Sequence, residues 1–367
     1  MILITGLNAF EHGGNLYEAV RKKGGLLTNV LDFSANINPL GLPESIKQAI
    51  LESLENIIHY PDPQAYALKQ AISCHFNVDA NLITAGNGAV ELLYILCNIR
   101  KPRRVLIPVP AFSEYERAAR SSGAKIEYFY LKAENDFRLN PSLLIPHLKN
   151  DIDIIFLGNP NNPTGTLILK DELEPLLKTA RANNVIVVVD ESFIDFVADS
   201  NDYTCRNLLA RFDNLVILHS LTKFYAIPGL RLGFVLASRE ITTCLHEAKD
   251  PWNVNTLAQC AGVSALNDRA FYISTKEFIS CVKDDFYSQL CLIEGCKPYK
   301  PSVNFILIDI TGTELSSAQI RTILAGMNIL VRDCSNYPGL NDKYIRVAVK
   351  QPGQNSRLIN ALQQICR

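Results

Sequence analysis

The chain has 367 residues, 48% of them hydrophobic and 20% charged, with a formal net charge of -1. That is enough chain for a large domain and a smaller one, and the even charge balance excludes the electrostatic footprint of a nucleic-acid binder. The ten cysteines are scattered with no Cys-x-x-Cys pair, which predicts reduced thiols of a cytoplasmic protein and neither a disulfide framework nor a metal site.

Residues 1–45 are rich in Gly, Asn and Pro and read as an N-terminal arm. Its first apolar stretch is broken by Asn8 and Glu11, so no signal peptide is expected. Residues 46–264 read as the large domain. There the segment Thr84-Ala85-Gly86-Asn87-Gly88-Ala89-Val90-Glu91 opens a helix, but what precedes it does not read as the strand of a dinucleotide fingerprint. Strands are predicted over Val105–Val109, Ile126–Leu131, Ile152–Leu157, Val185–Val189, Leu215–Leu218 and Leu232–Leu236. Several are apolar at every position, as strands buried on both faces are. Lys170–Asn183 keeps helical spacing through Leu173, Leu176, Leu177 and Ala180. Strand–helix alternation of this kind specifies an α/β fold with a doubly wound, mostly parallel sheet. From residue 265 to 367 a long helical region precedes Val303–Ile310, Ile329–Arg332 and Tyr344–Val349, a smaller α+β C-terminal domain. No apolar run is long enough to span a membrane.

Chemistry concentrates at a few turns. Lys223 lies just past a strand, in Ser220-Leu221-Thr222-Lys223, with Arg231 eight residues on. A lysine so placed suits a Schiff base with pyridoxal phosphate, with Ser220, Thr222 and Arg231 taking the cofactor's phosphate. Gly88 and Ala89, at a helix start, bring backbone N–H groups to the same phosphate. Gly158-Asn159-Pro160-Asn161-Asn162-Pro163-Thr164-Gly165 is a stiff turn after a strand, and it offers Asn162 to the cofactor's phenolate oxygen. Asp190 ends a buried strand, where a carboxylate is costly unless paired, and a protonated pyridine nitrogen is a suitable partner. Phe112, just past another strand end, is placed to stack on the ring.

These motifs together resemble the fold-type I superfamily of pyridoxal-phosphate-dependent aminotransferases, from about residue 30 to the C-terminus. The resemblance implies Lys223 and Asp190 as catalytic residues, Asn162 as a cofactor and substrate ligand, and Arg346 of Tyr344-Ile345-Arg346 as the carboxylate binder. It also implies a homodimer in which Tyr60 of His59-Tyr60-Pro61 reaches the neighbouring subunit's cofactor phosphate. Histidinol-phosphate aminotransferases are near relatives on these motifs. Two departures stand out. Phe193 occupies a position where the superfamily usually has tyrosine, so one hydrogen bond to the phenolate oxygen is missing.

The other departure is the N-terminus. His12-Gly13-Gly14-Asn15, then Leu31-Asp32-Phe33-Ser34-Ala35-Asn36-Ile37-Asn38-Pro39-Leu40-Gly41, with Asp190-Glu191-Ser192-Phe193 and Asn336-Tyr337-Pro338-Gly339-Leu340, resembles the threonine-phosphate decarboxylases of cobamide biosynthesis. That resemblance implies a small phosphorylated amino acid as substrate, held by His12, Gly13, Asn36, Asn162, Arg332 and Arg346. The implied reaction is loss of CO2 from O-phospho-L-threonine, or from O-phospho-L-serine. One methyl group separates the two, and the sequence leaves that choice open, as it does which arginine takes phosphate. Transamination of histidinol phosphate stays the alternative. A non-catalytic effector domain of a transcription regulator fits poorly, because no DNA-binding segment is legible before residue 45.

Overall fold

The structure is a computed structural model that describes residues 13–17, 21, 29–149 and 151–366. A short strand, β1 (Leu31–Asp32), precedes the main sheet. That sheet contains β2 (Ile83–Asn87), β3 (Arg104–Val109), β4 (Lys125–Tyr130), β5 (Ile154–Gly158), β6 (Ile186–Asp190), β7 (Leu215–Ser220) and β8 (Leu232–Ala237). Its order is β2-β8-β7-β6-β5-β3-β4, and only β8 runs antiparallel to its neighbours.

Side-chain alternation explains why the predicted runs are apolar throughout. Ile155 and Leu157 of β5 enter one core with Leu173, Leu176 and Ala258, while Ile154 and Phe156 enter a second core with Leu92, Leu96 and Ala118. Helices Lys170–Ala182 and Thr256–Asn267 cover the first face, and Ala89–Arg100, Ser113–Ser121 and Arg239–Ala248 cover the second. A strand covered on both faces gains from apolar residues at every position.

The strand β2 corrects the sequence reading of residues 83–87. Only Ile83 and Thr84 there are β-branched, and Ala85, Gly86 and Asn87 carry no strand signal. Packing selects the small residues: a Cβ on Gly86 would lie 2.6 Å from Cγ of Leu92 in the following helix.

Beyond the long helix Arg269–Leu290 come β9 (Lys297–Pro298), β10 (Phe305–Asp309), β11 (Ile329–Leu330), β12 (Arg332–Asp333) and β13 (Tyr344–Ala348). Four of them form an antiparallel sheet in the order β12-β13-β10-β9, and β11 pairs in parallel with β1. Phe33 continues that junction: its N–H donates to Leu330 O at 2.8 Å, and its carbonyl accepts from Ala348 N at 2.8 Å. The N-terminal segment is therefore stitched to the C-terminal sheet.

Parallel strands β3, β5, β6 and β7 deliver Val109, Gly158, Asp190 and Ser220 to one edge, where α/β sheets bind ligands. The Asn336–Leu340 turn docks there too. Gly339 (φ +86°) lies so close that a Cβ would sit 3.2 Å from Val109 O. Among the described residues no helix is long and apolar enough to cross a membrane.

Candidate active site

At the end of β7 the chain makes a four-residue helical turn, Leu221–Phe224, which lifts Lys223 over the strand ends. Its ammonium donates to Ser220 Oγ at 2.9 Å, and Ser220 Oγ lies 2.8 Å from Thr222 Oγ1. Both hydroxyl residues are buried. Burial lowers the lysine's pKa to about 8, with Asp190 opposing the shift and Arg231 reinforcing it.

Gly88, with φ +82°, caps the helix Ala89–Arg100. A Cβ there would stand 2.7 Å from Nη2 of Arg231, so glycine is what lets the guanidinium lie over the helix start. The first-turn N–H groups of that helix have no intrahelical acceptors, and together with Arg231, Ser220 and Thr222 they form an anion cup. One cavity is bordered by Gly88, Ala89, Phe112, Asp190, Ser220, Thr222, Lys223 and Arg231. Residues as far apart in sequence as Gly88 and Arg231 thus border one cavity.

Asp190 is held by two donors. Ser192 N–H reaches Oδ1 at 2.9 Å, and Tyr115 Oη donates to Oδ2 at 2.8 Å. Burial, then the charge of Asp190, pushes the Tyr115 phenol well above its ordinary value, so this hydroxyl remains a donor.

The second half of the site comes from the C-terminal sheet and the N-terminal segment. Arg332 and Arg346 face each other across β12 and β13, and both are 5% exposed. Arg346 Nη1 donates to Asn162 Oδ1, and its Nη2 donates to Ser34 O at 2.7 Å. Among the described residues its Nε has no hydrogen-bond partner, and Asn36 Oδ1, also buried, has none either. Burial lowers the Arg346 pKa, and the neighbouring Arg332 pushes the same way. Arg332 Nη2 donates to Asn336 Oδ1 at 2.8 Å, and its guanidinium lies 5.1 Å from the Tyr337 ring. Gly13 packs so closely on Ser34 that a Cβ would meet its carbonyl oxygen, and Gly14 N–H donates to Ser34 Oγ at 2.7 Å. His12 lies outside the described residues.

Tyr60 is the one described candidate that stands apart. It is 78% exposed and stacks on Trp252 with centroids 4.5 Å apart. Phe193 is buried with its ring edge-on to Phe305 at 5.1 Å, and Phe305 in turn carries the Arg346 guanidinium at 5.4 Å. Lys223 Nζ lies 6.0 Å from the Phe193 ring centre.

Sequence reading missed Tyr115 and Asn38. Asn38 Nδ2 donates to Phe224 O at 2.7 Å and to Thr275 Oγ1 at 2.9 Å, while its N–H donates to Lys223 O at 3.0 Å. The N-terminal segment thereby clamps the turn that carries the lysine. The only signal for it was an Asn-x-Asn-Pro turn, and for Tyr115 an aromatic three residues after Phe112.

The donor set fits pyridoxal phosphate. A lysine with a lowered pKa, a half-buried carboxylate for a ring nitrogen, an aromatic wall and an anion cup are present in one cavity. The orphaned Arg346 Nε and Asn36 Oδ1 leave polar capacity for a further ligand beside them.

The chain is similar to known proteins over nearly its whole length. The family model described as aminotransferase class I and II matches residues 28–362. A threonine-phosphate decarboxylase of Salmonella typhimurium is 38% identical, over 96% of this chain and 96% of its own. Among solved structures, a histidinol-phosphate aminotransferase of Clostridium acetobutylicum is 30% identical with a TM-score of 0.86, covering 92% of this chain and 99% of its own. An L-threonine-O-3-phosphate decarboxylase of Porphyromonas gingivalis is 28% identical with a TM-score of 0.80, covering 91% of this chain and 99% of its own. Fold, site geometry and sequence similarity lead to one conclusion: the chain belongs to the class I and II aminotransferase family.

Proposed function

We propose that the protein is a pyridoxal-phosphate-dependent decarboxylase of O-phospho-L-threonine, releasing CO2 and (R)-1-aminopropan-2-yl phosphate, the linker of the cobamide nucleotide loop. The observation that carries this reading is the Arg332–Arg346 pair. Like charges directly opposite on paired strands repel, and among the described residues no carboxylate forms an ion pair with either guanidinium. A ligand with two anionic ends, a carboxylate and a phosphate, relieves both. The similarity to threonine-phosphate decarboxylases supports the same choice.

The bound cofactor supplies an electron sink for a bond broken at the substrate's Cα. The chain's residues select the bond. Arg346, steadied by Asn162 and Ser34 O, is assigned the carboxylate, and Arg332 the phosphate, where its planar fork binds two oxygens. Fixing both ends sets the rotation about the N–Cα bond, so binding energy far from the reacting carbon decides which bond is presented for cleavage. The Cα–carboxylate bond breaks, CO2 leaves, and Lys223 Nζ, tethered beside Cα, returns a proton to that carbon. Asp190, held by Tyr115 and Ser192, would be the partner for the ring nitrogen.

The cofactor-loaded enzyme, given O-phospho-L-threonine, is expected to release CO2 and amine phosphate in equal amounts without added keto acid. O-Phospho-L-serine, one methyl shorter, is expected to react with kcat/KM lower by about 10–200-fold. Conversion of the cofactor to its amine form without CO2 would mean transamination and overturn the reading.

The same reading assigns a second copy of the chain to the exposed apolar side chains Leu51, Leu54, Ile57, Ile58, Tyr60 and Trp252, each 46–79% exposed, of which Tyr60 and Trp252 stack on each other. Tyr60 among them is then available to the partner's anion cup. Light scattering is expected to give about twice the 40.9 kDa chain mass, and a monomer at micromolar concentration would remove that role from Tyr60.

A further inference from the structure

We propose that Tyr115 is a positioning residue that holds the Asp190 carboxylate against rotation and ties it to the aromatic wall of the cavity. The inference rests on the cofactor reading above and concerns a residue 75 positions from its target. Asp190 ends β6, so its backbone is set by the sheet, but a carboxylate can still turn about its last bond. Ser192 N–H holds only Oδ1. Tyr115 Oη holds Oδ2 at 2.8 Å, leaving the carboxylate one orientation that satisfies both donors.

Tyr115 itself has little freedom. It is 2% exposed, and its ring stacks on Phe156 of β5 with centroids 5.4 Å apart and planes 15° from parallel. The Phe112 ring meets it edge-on at 5.6 Å. One buried side chain therefore braces both Asp190, which would face the ring nitrogen, and Phe112, which would lie beside the ring. The helix Ser113–Ser121 places them, since Phe112 is its N-cap and Tyr115 lies in its first turn.

The mechanical consequence is specific. With pyridoxal phosphate bound, a firmly placed Asp190 carboxylate would favour the protonated ring nitrogen and so would lower the proton affinity at the linkage to Lys223. Tyr115→Phe keeps the ring and its stacking and removes only the donor. Its cofactor-loaded form is expected to show a raised pH midpoint of the visible absorbance, cofactor dissociation about 10-fold weaker, and kcat lower by about 10-fold with substrate KM little changed. In an Asp190→Asn background the same change adds less than about two-fold, because the effect runs through Asp190. Phe156→Leu, which loosens the stack without touching the hydroxyl, lowers Tm and leaves the pH midpoint in place. p-Aminophenylalanine at position 115 keeps a donor on the same ring and is expected to restore the midpoint even where the phenylalanine variant folds poorly.

A folded Tyr115→Phe protein with wild-type midpoint and cofactor affinity overturns the inference and leaves the functional reading standing. Wild-type protein that binds no pyridoxal phosphate overturns both.

Discussion

Lys223→Ala is expected to lower CO2 release from O-phospho-L-threonine by at least about 1,000-fold. General acid–base catalysis by one positioned group contributes about 100- to 10,000-fold, and this variant also loses the covalent tether to the cofactor. No other described side chain offers an amine in the cavity, since its other cation, Arg231, belongs to the anion cup. Lys223→Arg keeps the charge and is expected to be as inactive, because a guanidinium does not give up its proton at working pH. Residual turnover within 10-fold of wild type would reassign the proton donor.

The same lysine sets a pH dependence. With its pKa lowered to about 8, half of the amine is neutral near that pH, so uptake of pyridoxal phosphate by the cofactor-free protein is expected to rise with a midpoint there and not at the ordinary 10.5. Asp190 pushes the value upward, so Asp190→Asn is expected to move the midpoint lower. The folded value lies below the unfolded one. The buried charge therefore costs stability below pH 8, and that cost fades as the pH climbs toward 10.5.

Arg332→Ala is expected to lower kcat/KM by about 100-fold or more and to change the products. Hydrogen bonds to a charged group contribute about 1.5–3 kcal/mol each, and a guanidinium on phosphate makes two. Product identity follows from stereoelectronics. Once CO2 has left, the electrons at Cα lie one carbon from a phosphate ester, and phosphate is a fair leaving group. Elimination is suppressed only while the Cβ–O bond is kept out of alignment, and a clamped phosphate does that. The variant is therefore expected to release free phosphate, or to convert the cofactor to its amine form, alongside CO2. A variant that turns over cleanly, with one amine phosphate per CO2, would show that Arg332 does not hold the phosphate. The Arg332→Lys protein separates charge from geometry: a point charge restores affinity in part without restoring the two-point grip.

Phe193 illustrates how far sequence reading reaches. Its departure from the usual tyrosine was visible in Asp190-Glu191-Ser192-Phe193, but not its consequence. The ring lies edge-on to Phe305, whose face carries the Arg346 guanidinium, so the position serves packing beneath Arg346. Asn162, expected at the phenolate oxygen, has its Oδ1 engaged by Arg346 and its Nδ2 left to serve as the donor. The resemblance gave Asn162 both a cofactor and a substrate role, but not its contact with Arg346, because the two residues are 184 positions apart.

Chemistry that depends on a short stretch of backbone was determined by the sequence alone. Lys223 with Ser220 and Thr222, Gly88 before its helix, Asp190 at a strand end and the Asn159–Gly165 turn each carry their geometry in a few neighbouring residues, where glycine, proline and strand periodicity limit the conformations. What pairs across the sheet ends was decided only by the tertiary structure. The register of β12 on β13 sets Arg332 opposite Arg346, Tyr115 reaches Asp190 from another crossover, and Asn38 clamps Lys223 from the N-terminal segment. β2 was hidden for the complementary reason: its small residues answer to the helix packed on them, not to strand propensity. Local preference is written residue by residue, whereas charge repulsion, burial and hydrogen-bond partnership are properties of pairs that only folding brings together.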